Sequence, residues 1–140
     1  MFIHLTDRVS VAPQITADDV ERAKTEGFTH ILCNRPDGEV PGQPTMAEIE
    51  DAAQKQGLAF SAIPIGPAGI SPDDISAAAD VFGSGEHVLA YCRSGTRSTT
   101  LHALTRVVGG EDVDRVIDEA ADAGYDLSSM RTAFETLAGQ

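Results

Sequence analysis

The chain has 140 residues, 41% of them hydrophobic, and a formal charge of −12 from 22 acidic and 10 basic side chains. That length suits one domain over residues 1–140 rather than two, and a domain of this size buries roughly two-thirds of its unfolded surface. The acid excess repels DNA, RNA and anionic lipid. No apolar run approaches the roughly 18 residues that cross a bilayer, and the opening Met-Phe-Ile-His-Leu-Thr-Asp lacks the basic and apolar stretches of a signal peptide, so a cytoplasmic protein without nucleic-acid or membrane partners is expected.

Short β-branched runs alternate with helical segments along the chain. Val9-Ser10-Val11 reads as a strand, and Thr16-Ala17-Asp18-Asp19 starts a helix that ends near Gly27. Phe28 to Cys33 has the length and content of a second strand. A loop from Asn34 to Pro44 follows, with three prolines and two glycines. Thr45-Met46-Ala47-Glu48 is a capping-box sequence opening a helix to about Gly57. Leu58 to Ile65 gives the third strand. Ser71-Pro72-Asp73-Asp74 supplies a cap, a proline at the first helical position and two acids that suit the helix dipole. That helix runs to about Phe82, and His87 to Tyr91 is the fourth strand. A helix from Ser98 to about Val108 carries Leu101, Leu104 and Val108 on one stripe. Two more helical segments cover Val113 to Ala123 and about Ser129 to Leu137. The first has an apolar stripe of Val113, Val116, Ile117 and Ala120, opposite solvated acids that include Glu111, Asp112, Asp114, Asp118, Glu119 and Asp122. Such alternation predicts an α/β fold with a parallel central sheet flanked by helices, and with extra helices at the C-terminus. Ligands of such sheets bind at the carboxyl ends of the strands.

The two cysteines, Cys33 and Cys92, are too few for a disulfide framework, and neither they nor His4, His30, His87 and His102 have metal-ligand spacing. No metal or dissociable cofactor is implied. Cys92 ends a strand and opens the segment Cys92-Arg93-Ser94-Gly95-Thr96-Arg97-Ser98. A loop wrapped back on its own cysteine points backbone N–H groups inward, and the following helix adds its positive end. Backbone amides from Arg93 through Ser94, Gly95 and Thr96 to Ser98 then form an anion cradle that favours the thiolate, the nucleophilic form. Gly95 permits a backbone angle or close approach that a side chain blocks. Arg97 can hold an anion bidentately, and the Ser98 hydroxyl can donate to the sulfur. The bland alternative is an ordinary strand-to-helix turn with a buried thiol.

The loop resembles the active loop of rhodanese sulfurtransferases and, with four residues instead of five between cysteine and arginine, a shortened tyrosine-phosphatase loop. Three stretches together, Asn-Arg-Pro-Asp-Gly-Glu-Val-Pro-Gly-Gln-Pro (34–44), Tyr-Cys-Arg-Ser-Gly-Thr-Arg-Ser (91–98) and Ala-Gly-Tyr-Asp-Leu-Ser-Ser-Met (123–130), resemble the beta-lactamase-hydrolase-like, phosphatase-like domain family. The resemblance implies a dual-specificity-phosphatase type of α/β fold.

Two chemistries fit the loop. A phosphatase needs a carboxylic acid to protonate its leaving oxygen. In the phosphatase fold that acid usually follows the strand preceding the cysteine strand, yet here Pro64 to Ile70 contains none. Asp73 and Asp74 read as helix-start residues, which leaves Asp37 as the best remaining acid, or else a turn-former beside Gly38. Sulfur transfer needs no obligatory acid, and a tighter ring of donors suits one anionic sulfur. The expectation is therefore a sulfurtransferase carrying a persulfide on Cys92. Arg93 would attract an anionic donor, and family resemblance makes a low-molecular-weight thiol persulfide such as that of glutathione plausible. A cysteine-dependent phosphatase is the alternative, and a non-catalytic anion- or redox-sensing module the third possibility. Cys33 would be either a resolving thiol or a buried strand thiol, with Asn34 and Arg35 on the same side of the sheet. Arg35 would line the pocket or pin the loop to an acid. The sequence gives no oligomeric state.

Overall fold

A computed structural model describes residues 2–139. The chain runs through β1 (Ile3–His4), β2 (Val9–Ala12), α1 (Ala17–Thr25), β3 (His30–Cys33), α2 (Met46–Lys55) and β4 (Ala59–Ala62). It continues through α3 (Pro72–Phe82), β5 (Val88–Tyr91), α4 (Thr96–Val108), α5 (Val113–Asp122), a 3₁₀ turn (Ser128–Met130) and α6 (Arg131–Ala138). The five strands are ordered β1-β2-β5-β3-β4. All neighbours pair in parallel except β1, which runs antiparallel to β2. The expected α/β architecture is present, and β1 is an addition to it. A two-residue edge strand is too short to leave a periodic trace in the sequence.

β5 is the centre of the sheet, and each of its four residues is buried. Burial on both faces explains its near-continuous apolar run. Its side chains alternate: Leu89 and Tyr91 join the core beneath α1 and α2, while Val88 and Ala90 join the core beneath α3 and α4. β3 follows the same rule, with Ile31 and Cys33 on the first face and Leu32 on the second.

The helices start where their caps demand. Thr16 and Asp19 form a reciprocal capping box at α1, as do Ser71 and Asp74 at α3, where Pro72 takes the first helical position. At α2 the Thr45 hydroxyl accepts from the Glu48 amide, but Glu48 meets the Thr45 hydroxyl rather than its backbone N–H. One half of the expected box is therefore replaced.

Leu101 and Leu104 of the sequence-based stripe on α4 are buried, and only its last position is displaced, by one residue. Val107 is fully buried, whereas Val108 is exposed. α4 lies between two layers, with Leu101 against the sheet and Ala103, Leu104 and Val107 against α5 and α6. A helix buried on two sides has no single stripe from which to read its phase. The C-terminal helices accordingly cover α4 instead of the sheet. Val116, Ile117, Ala120, Leu127 and Phe134 pack on it. The Arg106 guanidinium, mostly buried, ties α4 to Glu111 and to Glu119 of α5. Among the described residues no helix is long and apolar enough to cross a membrane.

Candidate active site

After β3 the chain leaves through α2 on one face, and after β5 through α4 on the other. The two connections diverge at the carboxyl ends of the central strands, the end at which ligands of such sheets bind. Cys92 and Asn34 lie at this end, both buried. The Cys92 amide donates to the Ala12 carbonyl, and the Asn34 amide to the Tyr91 carbonyl, so both residues extend the ladder by one step.

The loop folds back on its cysteine. Gly95, at the N-cap of α4, has φ +93°, a left-handed conformation open to glycine. Its N–H donates to the Cys92 Sγ at 3.1 Å. The sulfur is completely buried beneath the loop. Of the expected amide cradle, Gly95 contacts the sulfur itself. The amides of Thr96, Arg97 and Ser98 form the first turn of α4, where N–H groups have no partner inside the helix. A side chain at Gly95 would strike the Tyr125 hydroxyl, which lies over the loop. Ser94 Oγ donates to Thr96 Oγ1, the Arg93 carbonyl accepts from the Gln14 amide, and Thr99 Oγ1 donates to the Gly95 carbonyl.

Arg97 is committed to a partner that sequence reasoning missed. Its Nη1 donates to Glu39 Oε2 at 2.7 Å and to the Ile65 carbonyl at 2.8 Å, and its Nη2 to Glu39 Oε1 at 2.8 Å. Glu39 also accepts from Arg35 Nε at 2.9 Å, and Arg35 Nη1 reaches Gln14 Oε1. Arg35 is 4% exposed, so this pairing compensates a buried charge. Hydrogen bonding from Arg97 in the first place, and from Arg35, pulls the Glu39 carboxyl down to about 2. Arg35 thus pairs with an acid of its own 34–44 loop, four residues on. The guanidinium of Arg97 has five N–H groups; these three bonds leave two of them uncommitted among the described residues. The Glu39–Arg97 pair spans 58 residues, and nothing local in Asp-Gly-Glu marks Glu39 as its partner.

The Ser98 hydroxyl departs from expectation. It donates to Asn34 Oδ1 at 2.8 Å, and Asn34 Nδ2 donates to the Ile63 carbonyl at 3.0 Å. Both side chains are fully buried and weld α4 to the ends of β3 and β4. Asp37 Oδ1 accepts from the Met46 amide at 2.8 Å, helping to cap α2. Asp74 accepts from the Ser71 amide, as a helix-start acid should. Cys33 faces the α1–α2 core and donates its S–H to the Arg35 carbonyl at 3.3 Å. Burial pushes its thiol up from the ordinary range. Its placement is that of a buried strand thiol, and both cysteines are free. The histidines lie elsewhere. His102, on α4, packs edge-on against Phe82 at the end of α3, His30 bonds Ser61, His4 bonds Ser10, and His87 stacks on Phe28.

Solved structures share this arrangement of strands and helices. A candidate phosphatase from Neisseria meningitidis superimposes with a TM-score of 0.85 at 32% identity, covering 96% of both chains. The active form of Tk-PTP shares the fold with a TM-score of 0.76 at 15% identity, over 99% of this chain and 97% of that one. The fold is thus that of the tyrosine and dual-specificity phosphatases. In sequence, the chain is 31% identical over 140 residues to a beta-lactamase hydrolase-like protein from Xylella fastidiosa, covering 99% of this chain and 32% of that protein. It spans about a third of the length of the curated relatives it matches. Residues 1–109, which contain Cys92, Arg97 and the Glu39 loop, match the model of one family over more than half the chain. The chain therefore belongs to the family of beta-lactamase hydrolase-like protein, phosphatase-like domains.

Proposed function

We propose that the chain is a cysteine-dependent phosphatase acting on small phosphate monoesters, with Cys92 as nucleophile. The observation that carries this reading is the Gly95 N–H on the Cys92 sulfur, with Arg97 in the same loop, inside a phosphatase-type fold. A thiolate held there attacks phosphorus in line with the leaving oxygen. The S–P bond forms, the P–O bond breaks, and its electron pair leaves with the alcohol oxygen. The first-turn amides of α4 and the uncommitted N–H groups of Arg97 stabilise the charge on the equatorial oxygens. Water then cleaves the S–P bond, releasing inorganic phosphate and restoring the thiolate.

The loop from Pro64 to Ile70 holds no carboxylate, and Asp37 is engaged with the α2 amide. A leaving group that needs no proton is therefore favoured. Aryl esters of acidic phenols should turn over far faster than alkyl esters.

Sulfur transfer is the second reading. It is favoured by one observation, the four-residue spacing between Cys92 and Arg97, which makes a tight ring around a single anionic atom. In that case the thiolate attacks the outer sulfur of thiosulfate, an S–S bond forms, and sulfite leaves with the electron pair. A paired assay separates the two. Wild type should release p-nitrophenol from its phosphate ester, and Cys92→Ser should not. Intact mass after thiosulfate or glutathione persulfide should show no added sulfur atom. Sulfur loading without ester hydrolysis reverses the assignment, and neither activity sinks both.

A further inference from the structure

The segment beyond the family match reaches back to the nucleophile. α5 ends in a Schellman turn: the Gly124 amide donates to Ala121, the Tyr125 amide to Ala120, and Gly124 has φ +100°. The turn reverses the chain and sends the Tyr125 ring into the seam between the sheet-side core and the α4–α5–α6 core, where it packs against both. From that fixed position its hydroxyl donates to the Ser94 carbonyl at 3.2 Å.

Ser94 C=O and Gly95 N–H belong to one peptide unit. In a trans peptide these two groups point in opposite directions; the chain has no cis peptide among the described residues. A donor on the outer face that holds the carbonyl therefore aims the N–H of the same unit inward, where it meets the Cys92 Sγ at 3.1 Å. The hydrogen bond also polarises the peptide, which makes its N–H a better donor. Glycine at 95 lets this unit rotate freely in the absence of a restraint, because it adopts φ of either sign. Space above the loop is also matched: a side chain at Gly95 would collide with the Tyr125 hydroxyl.

We infer that Tyr125 is a positioning residue for the nucleophile: by holding the Ser94 carbonyl it keeps the Gly95 N–H on the Cys92 sulfur and so sustains the reactive thiolate. The inference rests on Cys92 as nucleophile but not on which group it transfers. Besides Tyr125, the charged or titratable groups coupled to the sulfur include Arg97 on α4 and Cys33 on β3.

The test is the pH profile of Cys92 alkylation by iodoacetamide, with Cys92→Ser as the blank. Tyr125→Phe keeps the ring and removes the hydroxyl. Its alkylation midpoint should rise by about one pH unit, the effect of weakening one hydrogen bond to a charged group. A midpoint equal to that of wild type overturns the inference. A second measurement uses wild type alone, so it stands even if the variant folds poorly. The Gly95 amide resonance should titrate together with Cys92 in nitrogen-edited NMR, and a resonance indifferent to Cys92 ionisation overturns the inference equally. Loss of ester hydrolysis or of sulfur loading would bear on the proposed chemistry and leave both readouts in place.

Discussion

Gly95 and Ser98 stand three residues apart in the same loop, yet they serve different neighbours. Gly95 has φ +93° and no room for a Cβ beneath Tyr125. Gly95→Ala should cost roughly 1–3 kcal/mol in urea unfolding through backbone strain, and should slow Cys92 alkylation as the amide leaves the sulfur. Ser98 donates its hydroxyl to the buried Asn34 Oδ1. Removing that donor leaves a buried acceptor unpaired, so Ser98→Ala should lose about 1–3 kcal/mol of stability. Were the hydroxyl to serve the sulfur instead, the unfolding midpoint would hold and alkylation alone would slow. The role expected from the sequence was local, because Ser98 directly follows Arg97. The observed partner lies 64 residues away and comes into reach only when β3 pairs with β5.

The 34–44 loop and α4 are joined by one carboxylate. Glu39 bridges Arg35 and Arg97, and its carboxyl lies at about 2 against an ordinary 4.5. A depressed carboxylate contributes stability that is complete above the ordinary value and is lost as pH falls through the folded one. Glu39→Gln should therefore be less stable than wild type at pH 7, by about 2 kcal/mol once the partial exposure of the pair is discounted. The two should converge as acid approaches pH 2. Urea midpoints at pH 7, 4 and 2.5 check this, and a gap independent of pH would count against the carboxylate. The loop's prolines and glycines announced an irregular connection, but no periodicity told which of its side chains turns inward. Helices with capping signals were far more legible: Thr16, Thr45 and Ser71 all cap where the sequence placed helix starts.

At the scale of the whole molecule, α4 is the shared wall between sheet and C-terminal helices, and His102 sits within that wall. Burial holds its imidazole at about 4, with the Arg106 charge adding to the effect. The folded state keeps the ring neutral while the unfolded chain takes up a proton below about 6.5. Stability is thus complete above pH 6.5 and declines as pH falls through about 4, by up to roughly 3 kcal/mol. His102→Gln should flatten this decline between pH 7 and 4.5, as read by urea titrations across the range. An unchanged slope would place the acid sensitivity elsewhere. His102 stands one turn after Ser98, and from spacing alone it could have approached the loop from behind. The second helical layer, invisible in the local pattern, instead encloses it with Phe82, Arg106 and Glu119.

The sequence by itself determined what depends on neighbours along the chain. It set the alternation of strands and helices, the capped starts, and a cysteine followed by a glycine and an arginine where a strand gives way to a helix. Those features are contiguous, and local sterics and hydrogen bonding suffice to write them. Only the tertiary structure decided the strand order, the two-sided burial of α4, and the partners of the site: Glu39 on Arg97, Asn34 on Ser98, Tyr125 on Ser94. Each of those pairs joins residues at least 31 positions apart. Burial selects them, because a polar group withdrawn from water must find whichever partner the fold brings within reach.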